Sequence, residues 1–477
     1  MDFSRILAAN IDGRTQNTRY RQTQFYRLQT NLAQHVSEIQ DAIRADSGHT
    51  REEIRAEVLF ALREIRTHYL SLSLEKDLEK EYRIANGKDS QDASRGTGIV
   101  YIEPCTHTLF FSVISALSAA LAAGNCVIVE LPQNTMALPA LLRRLLLDVL
   151  DHDTFAITAQ RPDAAVLSKV LMVMQNDSAD ATNGLISPAG ARTVAVVDRT
   201  GNISEAAEAL VAARFALDGR SPYSPDVVFV HEFAMKPFMG AAIQHASKYL
   251  AGENGDLRQT PSSPRRSTSS TLLNSIRKDR GSQVLVSGDN WGLVEVRDRK
   301  SPLLQRKIDE KVLLVHAVTS LDDAIDTNFN ETLAATYAFA SPASAKYLTQ
   351  FIDAHISWVN HVPSHMLIGP ALPADTPADA QTRYSKSQFE LSRPQLIIPS
   401  ANSNAVQTIL RDINSTKANA LWQEALAPLP STKQRQGFKI GFFEQGIITG
   451  GLITLASLVA TVTTLGYYTL LYVRTRG

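Results

Sequence analysis

Between Gly446 and Val473 the chain reads GIITGGLITLASLVATVTTLGYYTLLYV, without one charged side chain. About 20 apolar residues suffice to cross the hydrocarbon core of a bilayer, so this stretch can do so with room to tilt. A soluble helix of such length normally keeps a polar face, because only one stripe of it meets a core. The segment 446–473 is therefore expected to be a transmembrane helix. Lys433, Arg435 and Lys439 precede it, Tyr467, Tyr468 and Tyr472 lie near its far end, and Arg474 and Arg476 follow, as interfacial anchors would. Gly446 and Gly450 stand at GxxxG spacing, which packs some membrane helices but arises readily by chance in a glycine-rich span. A helix this close to the last residue leaves the ribosome only when synthesis ends. The expectation is a single-pass tail anchor with the bulk of the chain in the cytosol. The endoplasmic reticulum is the first choice of membrane, with the mitochondrial outer membrane and the peroxisome as alternatives.

The rest of the 477 residues is long enough for about three domains. Lys plus Arg is 48 and Asp plus Glu is 48, so no global field draws the chain onto nucleic acid, and no nucleic-acid partner is expected. Two cysteines, Cys105 and Cys126, exclude a disulfide framework and fit a reducing compartment. The N-terminus meets charged residues before any apolar run and does not read as a secretory signal.

Leu28, Leu32, Val36, Ile39 and Ile43 recur at three- and four-residue spacing and predict one amphipathic helix. A second begins at Thr50, whose T-x-x-E pattern with Glu53 is a capping box, and places Ile54, Val58, Leu62, Ile65 and Tyr69 on one face. Then GIVYIEP at 98–104 is extended, 109–123 is a small-residue apolar helix, and Cys126 to Val129 is a continuous apolar strand. Helix and strand alternate onward through 138–149, 154–158, 170–174, 193–197 and 204–215. That alternation predicts an α/β fold with mostly parallel sheets. Strands at 226–231, 312–318 and 336–339, with a helix at 321–327, extend it into a second half. Residues 251–270, AGENGDLRQTPSSPRRSTSS, are predicted to be a disordered loop, and 427–436 a polar linker.

Chemical motifs are scarce. His361 and His365 have Pro363 between them and no companion carboxylate, so no metal site is expected. No G-x-S-x-G, G-x-G-x-x-G or G-x-x-x-x-G-K pattern occurs. Cys126 reads as a small core hydrophobe, and Cys105, at a strand end in EPCTHT, is the thiol placed where α/β proteins make ligand contacts.

Taken together, GIVYIEPCTHTLFFSVISALSAALAAGNCVIVELPQ, ISEAAEALVAARFALDGRSPYSPDVVFVHE, SPLLQRKIDEKVLLVHAVTSLDDAID and FELSRPQLII resemble the aldehyde dehydrogenase superfamily over residues 20–400. The closest type is the membrane-anchored fatty aldehyde dehydrogenase class. Ala122-Ala123-Gly124-Asn125 and the spacing of Gly219, Pro225 and Asp226 are the most specific points. The resemblance implies two parallel α/β sheet domains, a β-strand arm for dimerisation and a C-terminal transmembrane helix. It divides the chain into a cofactor-type domain at 1–197, a catalytic-type domain at 198–390, an arm and extension at 391–426, a linker at 427–445 and the membrane helix at 446–473.

The functional positions implied by the same resemblance hold other chemistry. The nucleophilic cysteine's place is held by Pro222, the general-base glutamate's by Ser187 and the oxyanion asparagine's by Thr106. The lysine for the adenine ribose falls at Glu130, and the glutamate for the nicotinamide ribose at Lys307. The stretch 175–186 lacks the glycine turn and is too short for the helix that would present amides to a pyrophosphate. The expectation is a catalytically inactive, tail-anchored aldehyde dehydrogenase-like protein that acts as a binding or scaffolding partner, with no cofactor. Its partners would be the membrane, a second copy, or an active relative. Two alternatives stay open. One is NAD- or NADP-dependent oxidation of aliphatic aldehydes with Cys105 as a displaced nucleophile, and the other is an accessory role in a membrane-associated biosynthetic pathway.

Overall fold

The structure is a computed structural model that describes residues 3–176, 184–255, 271–279, 281–379, 381–434 and 441–476. Among the described residues, fourteen strands make one ribbon and two sheets. Strand β1 (Ser94–Gly96) belongs to the ribbon. Strands β2 (Ile99–Glu103), β3 (Cys126–Glu130), β4 (Phe155–Thr158), β5 (Leu171–Met174) and β6 (Gly184–Ile186) form a parallel sheet in the order β4-β3-β2-β5-β6. Strands β7 (Thr193–Val197), β8 (Val227–His231), β9 (Ser282–Ser287), β10 (Trp291–Val296), β11 (Lys311–Val318), β12 (Ala335–Phe339) and β13 (Ser357–Val359) form the second, in the order β13-β12-β7-β8-β11-β10-β9. All its pairs are parallel except the hairpin β9–β10. Strand β14 (Glu390–Ser392) closes the antiparallel ribbon with β1.

Continuous apolar strands such as Cys126–Val129 and Val227–Val230 are buried throughout, as strands covered on both faces must be. The helices in the first 150 residues are α1 (Ser4–Asp12), α2 (Thr18–Gln34), α3 (Val36–Ser47), α4 (Arg51–Ser71), α5 (Leu74–Glu81), α6 (Leu109–Ala122) and α7 (Ala137–Val149). Helix α6 has residues from Phe110 to Ala122 all buried, so its apolar circumference is explained by packing on every side. Each large apolar side chain buried there is worth roughly 1.5–3 kcal/mol.

Several sequence expectations change. The single amphipathic helix predicted from Leu28 to Ile43 is two, α2 and α3, broken at His35. The capping box at Thr50 forms, with Thr50 Oγ1 accepting from Glu53 N at 3.3 Å and Glu53 Oε2 from Thr50 N at 2.9 Å. The buried stripe of α4, however, is Ile54, Glu57, Val58, Ala61, Glu64, Ile65 and His68, whereas Tyr69 is 38% exposed. Thr193–Val197, placed at the end of the first domain, is a strand of the second sheet. Within the stretch read as an arm and C-terminal extension, Gln395 makes an isolated bridge to Ser90, and helices follow at Ala401–Arg411 and Thr416–Leu426. Of the predicted disordered loop, 251–255 belong to the helix Glu232–Gly255, and 256–270 lie outside the described residues.

The chain divides into two units, Met1–Ile398 and Pro399–Gly477. The first holds both sheets. The second holds the two short helices and a long one, Phe442–Arg476. Its stretch Glu444–Thr469 is long and apolar enough to cross a membrane by length and composition, with mean hydropathy 1.8 and none of it buried.

Candidate functional site

The loop after β2 runs Pro104-Cys105-Thr106-His107-Thr108 into the N-terminus of α6. Thr108 sits at φ +43°, and its Oγ1 accepts from Gly369 N at 2.7 Å, which pins this loop to the segment 366–371. Around the loop lies a cavity of about 570 Å³ within the first unit. Thr106, Cys105, Pro222 and Lys307 all border it, so the fold brings four of the predicted site positions together.

The four sit in different environments. Pro222 has no nucleophilic atom, and its carbonyl accepts from Thr193 Oγ1 and Lys307 Nζ, both at 2.7 Å. Lys307 Nζ also lies 3.2 Å from Asp226 Oδ2, and burial pulls its pKa down against that carboxylate. Cys105 is buried. Its Sγ sits 3.1 Å from Ser112 Oγ and 3.2 Å from the His107 carbonyl, and burial pushes the thiol up to about 11. A thiol held there is overwhelmingly protonated at neutral pH. Thr106 is exposed.

Two predicted positions fall elsewhere. Ser187 is fully buried and does not border the cavity; its Oγ donates to Ala371 O at 2.7 Å. Glu130 ends β3, where it accepts from the Tyr101 hydroxyl. Burial and Glu130 together raise the neighbouring Glu103 carboxyl. This strand end therefore offers acceptors and negative charge where the resemblance implies a donor for a ribose. Beside it, only positions 175–183 separate the parallel strands β5 and β6, of which 177–183 lie outside the described residues. A crossover containing a helix needs at least about 10–12 residues. Among the described residues no group of three His, Cys, Asp or Glu is placed to hold a metal. His365 stacks on Phe60, and His361 Nδ1–H donates to Val359 O at 2.9 Å.

Sequence reasoning passed over Glu57, His49, His107 and Arg220, which also border the cavity. Glu57 reaches it from α4. Its Oε1 accepts from Phe111 N at 3.3 Å, capping α6, and the Phe110 amide also favours the ionised form; burial outweighs both and raises the carboxyl to about 7. His107 Nε2–H donates to Leu367 O at 2.9 Å, and burial lowers that imidazole to about 4. His49 Nδ1 is buried without a partner, and burial lowers its pKa. Arg220 is exposed. The signal that could have found Glu57 is helical spacing: it lies three residues after Ile54 and four before Ala61, on the face that α4 buries.

No protein-family model matches the chain, and no curated protein matches it in sequence. Solved structures do. The substrate-bound state of Staphylococcus aureus AldH is 18% identical with a TM-score of 0.67, covering 89% of this chain and 98% of that one. HpcC from Thermus thermophilus is 18% identical with a TM-score of 0.62, over 83% of this chain and 85% of that one. Succinic semialdehyde dehydrogenase from Streptococcus pyogenes, solved in complex with NADP+, is 10% identical with a TM-score of 0.60, over 83% and 94%. With two parallel sheets, a ribbon joining β1 to β14 and a cavity bordered by the loop after β2, the chain has the aldehyde dehydrogenase fold.

Proposed function

We propose that this is a membrane-anchored protein of aldehyde dehydrogenase fold that holds a ligand in its central cavity and does not oxidise aldehydes. The observation that carries the reading is Pro222 on the cavity wall, where the resemblance implies the attacking sulfur. A missing nucleophile costs several orders of magnitude in rate. The displaced-nucleophile alternative is weakened by the state of Cys105, whose thiol is buried, engaged by Ser112 and shifted up to about 11. The Streptococcus pyogenes neighbour was solved with NADP+ bound. Glu130 and Lys307 in this chain argue against carrying that over. The anchor is the helix at Phe442–Arg476, supported by its length and apolar composition. The first unit is then held at a membrane surface on the cytosolic side, as a partner for a second copy, an active relative or a membrane-bound pathway.

The test uses the full chain in lipid nanodiscs. NAD and NADP are titrated by calorimetry, and hexanal and hexadecanal are offered with each cofactor. The expected result is no saturable heat with either nucleotide and no cofactor reduction above the rate of empty nanodiscs. Micromolar nucleotide binding with turnover overturns the reading, and turnover abolished by Cys105→Ser would install the thiol alternative in its place.

A further inference from the structure

Ahead of its long apolar helix the second unit carries two short helices, Ala401–Arg411 and Thr416–Leu426, which contact each other. Each carries an apolar row that this contact leaves open. Val406, Leu410 and Ile413 stand at i, i+4 and i+7, with Ile413 just past the first helix. Trp422, Leu426 and Leu429 repeat that spacing, with Leu429 past the second. Residues so spaced share one face of a helix. All six are more than half exposed, from 54% at Val406 to 95% at Leu429. Single exposed apolar residues are ordinary on a protein surface, but ordered rows of them mark a surface that something covers.

The cover can be chosen on reach, residue type and charge. The long helix begins at Phe442, so a fully extended chain places Leu429 at most about 45 Å from its start, and any slack brings the rows closer. A bilayer is therefore the apolar phase they meet at the highest effective concentration. Trp422 pairs an apolar ring with a polar N–H, the residue type enriched where headgroups meet acyl chains. Residues 399–430 set Arg411 and Lys417 against Asp412 and Glu424. With charge balanced, burial of the rows drives the contact and attraction to anionic lipid does not.

We propose that the two apolar rows, at 406, 410 and 413 and at 422, 426 and 429, lie in the headgroup–acyl boundary of the bilayer that receives the membrane helix. This rests on the membrane-anchored reading and adds a second, reversible membrane contact to it. Interfacial burial of this size does not hold a protein at a membrane without a further signal, so the anchor stays necessary.

The test is tryptophan fluorescence of the full chain in phosphatidylcholine nanodiscs. Of the three tryptophans, Trp291 is 2% exposed and Trp358 is half-buried, whereas Trp422 is 59% exposed. Trp422→Phe therefore isolates the Trp422 signal by difference. A ring roughly 5–10 Å deep lies within reach of a shallow doxyl-labelled lipid and is shielded from iodide, so Trp422 emission should fall at least about twofold with the labelled lipid and resist iodide. Anionic lipid added to the discs should leave that loss unchanged. Leu410→Asp combined with Leu426→Asp, both at exposed positions, should remove most of the lipid quenching and open the ring to iodide. Iodide quenching without lipid quenching in the wild-type chain overturns the proposal, as does lipid quenching that survives the double substitution. Quenching by neither agent also overturns it and assigns the cover to protein. Carbonate extraction from cell membranes reads the anchor separately. A chain released by carbonate overturns the anchored reading and the proposal together, whereas a carbonate-resistant chain without lipid quenching overturns the proposal alone.

Discussion

Lys307 donates to Asp226 across 3.2 Å in the interior, with the carboxylate wholly buried and the lysine side chain 14% exposed. The same Asp226 accepts from Thr193 N at 2.7 Å and Ile308 N at 2.9 Å, and Arg214 approaches it at 3.4 Å. Lys307 is thus committed to holding the start of β7 against the segment before β11, and its ammonium is not free for a ligand.

Removing that carboxylate leaves two buried cations without their shared counter-charge. Asp226→Ala should destabilise the chain by about 3–5 kcal/mol in equilibrium urea unfolding in detergent. Lys307→Met should cost less, because Asp226 keeps both backbone amides and Arg214. A lysine variant as damaging as the aspartate variant would contradict this arrangement.

Cys105 should resist modification in the native chain. Its thiol is buried, and at about 11 it supplies few thiolates near pH 7. Maleimide labelling should be at least about a hundredfold slower in the folded protein than after denaturation. Labelling at the denatured rate would show that the thiol is open and restore it as a candidate nucleophile.

The polar stripe of α4 makes stability depend on pH in a defined window. Burial raises Glu57 to about 7 and Glu64 to about 8 from an ordinary 4.5, while it lowers His68 and His107 to about 4 from 6.5. For the glutamates the protonated form is favoured in the fold. Their contribution is complete below about 4.5 and is lost as pH climbs through their folded values. For the histidines the neutral form is favoured, so stability is gained as pH rises from about 4 to 6.5. The two effects oppose each other up to about 6.5, and above it only the loss remains. Unfolding free energy should fall by roughly 2 kcal/mol between about pH 6.5 and 8. Glu64→Gln should remove most of that slope, since the amide can still accept from Arg383 N, as Glu64 Oε1 now does at 2.5 Å. A wild-type curve flat across that window would contradict the buried placement of both carboxyls.

Deleting residues 442–476 removes the helix whose stretch Glu444–Thr469 has mean hydropathy 1.8. The shortened chain should move from the membrane pellet to the supernatant in fractionated cells, while the full chain should stay in the pellet after alkaline carbonate extraction. Retention of the shortened chain in the pellet would assign membrane attachment to another surface.

The layered α/β architecture was legible because its signals are strong and local. Continuous apolar runs gave β3, β7 and β8, and the capping box gave the start of α4. Asn125, singled out by its motif, ties three elements: its Oδ1 accepts from Thr97 Oγ1 and Gly98 N, and its Nδ2 donates to Ala120 O and Phe389 O. The hairpin β9–β10 went unread although Gly288-Asp289-Asn290 separates its two apolar strands, a turn signal that alternation with helices had overshadowed. Glu57 and Glu64 were missed for a different reason. Charged side chains on a helix are ordinarily assigned to water, and only the packing of α4 on α6 turns them inward. His68 joins them, with Nε2–H donating to Tyr384 O at 3.0 Å and Nδ1 accepting from Ser118 Oγ at 2.9 Å. Such partners are far away in sequence, and no spacing rule reaches them.

Gly369, whose amide fastens the loop after β2, holds φ +89°, and a β-carbon there would stand 2.5 Å from the Phe111 ring. Every single-nucleotide change of its codon to another amino acid would have to unseat that ring or bend the peptide. Any side chain at 369 would therefore loosen the loop after β2 from its fastening, so a residue with no side chain of its own keeps the cavity's rim in place.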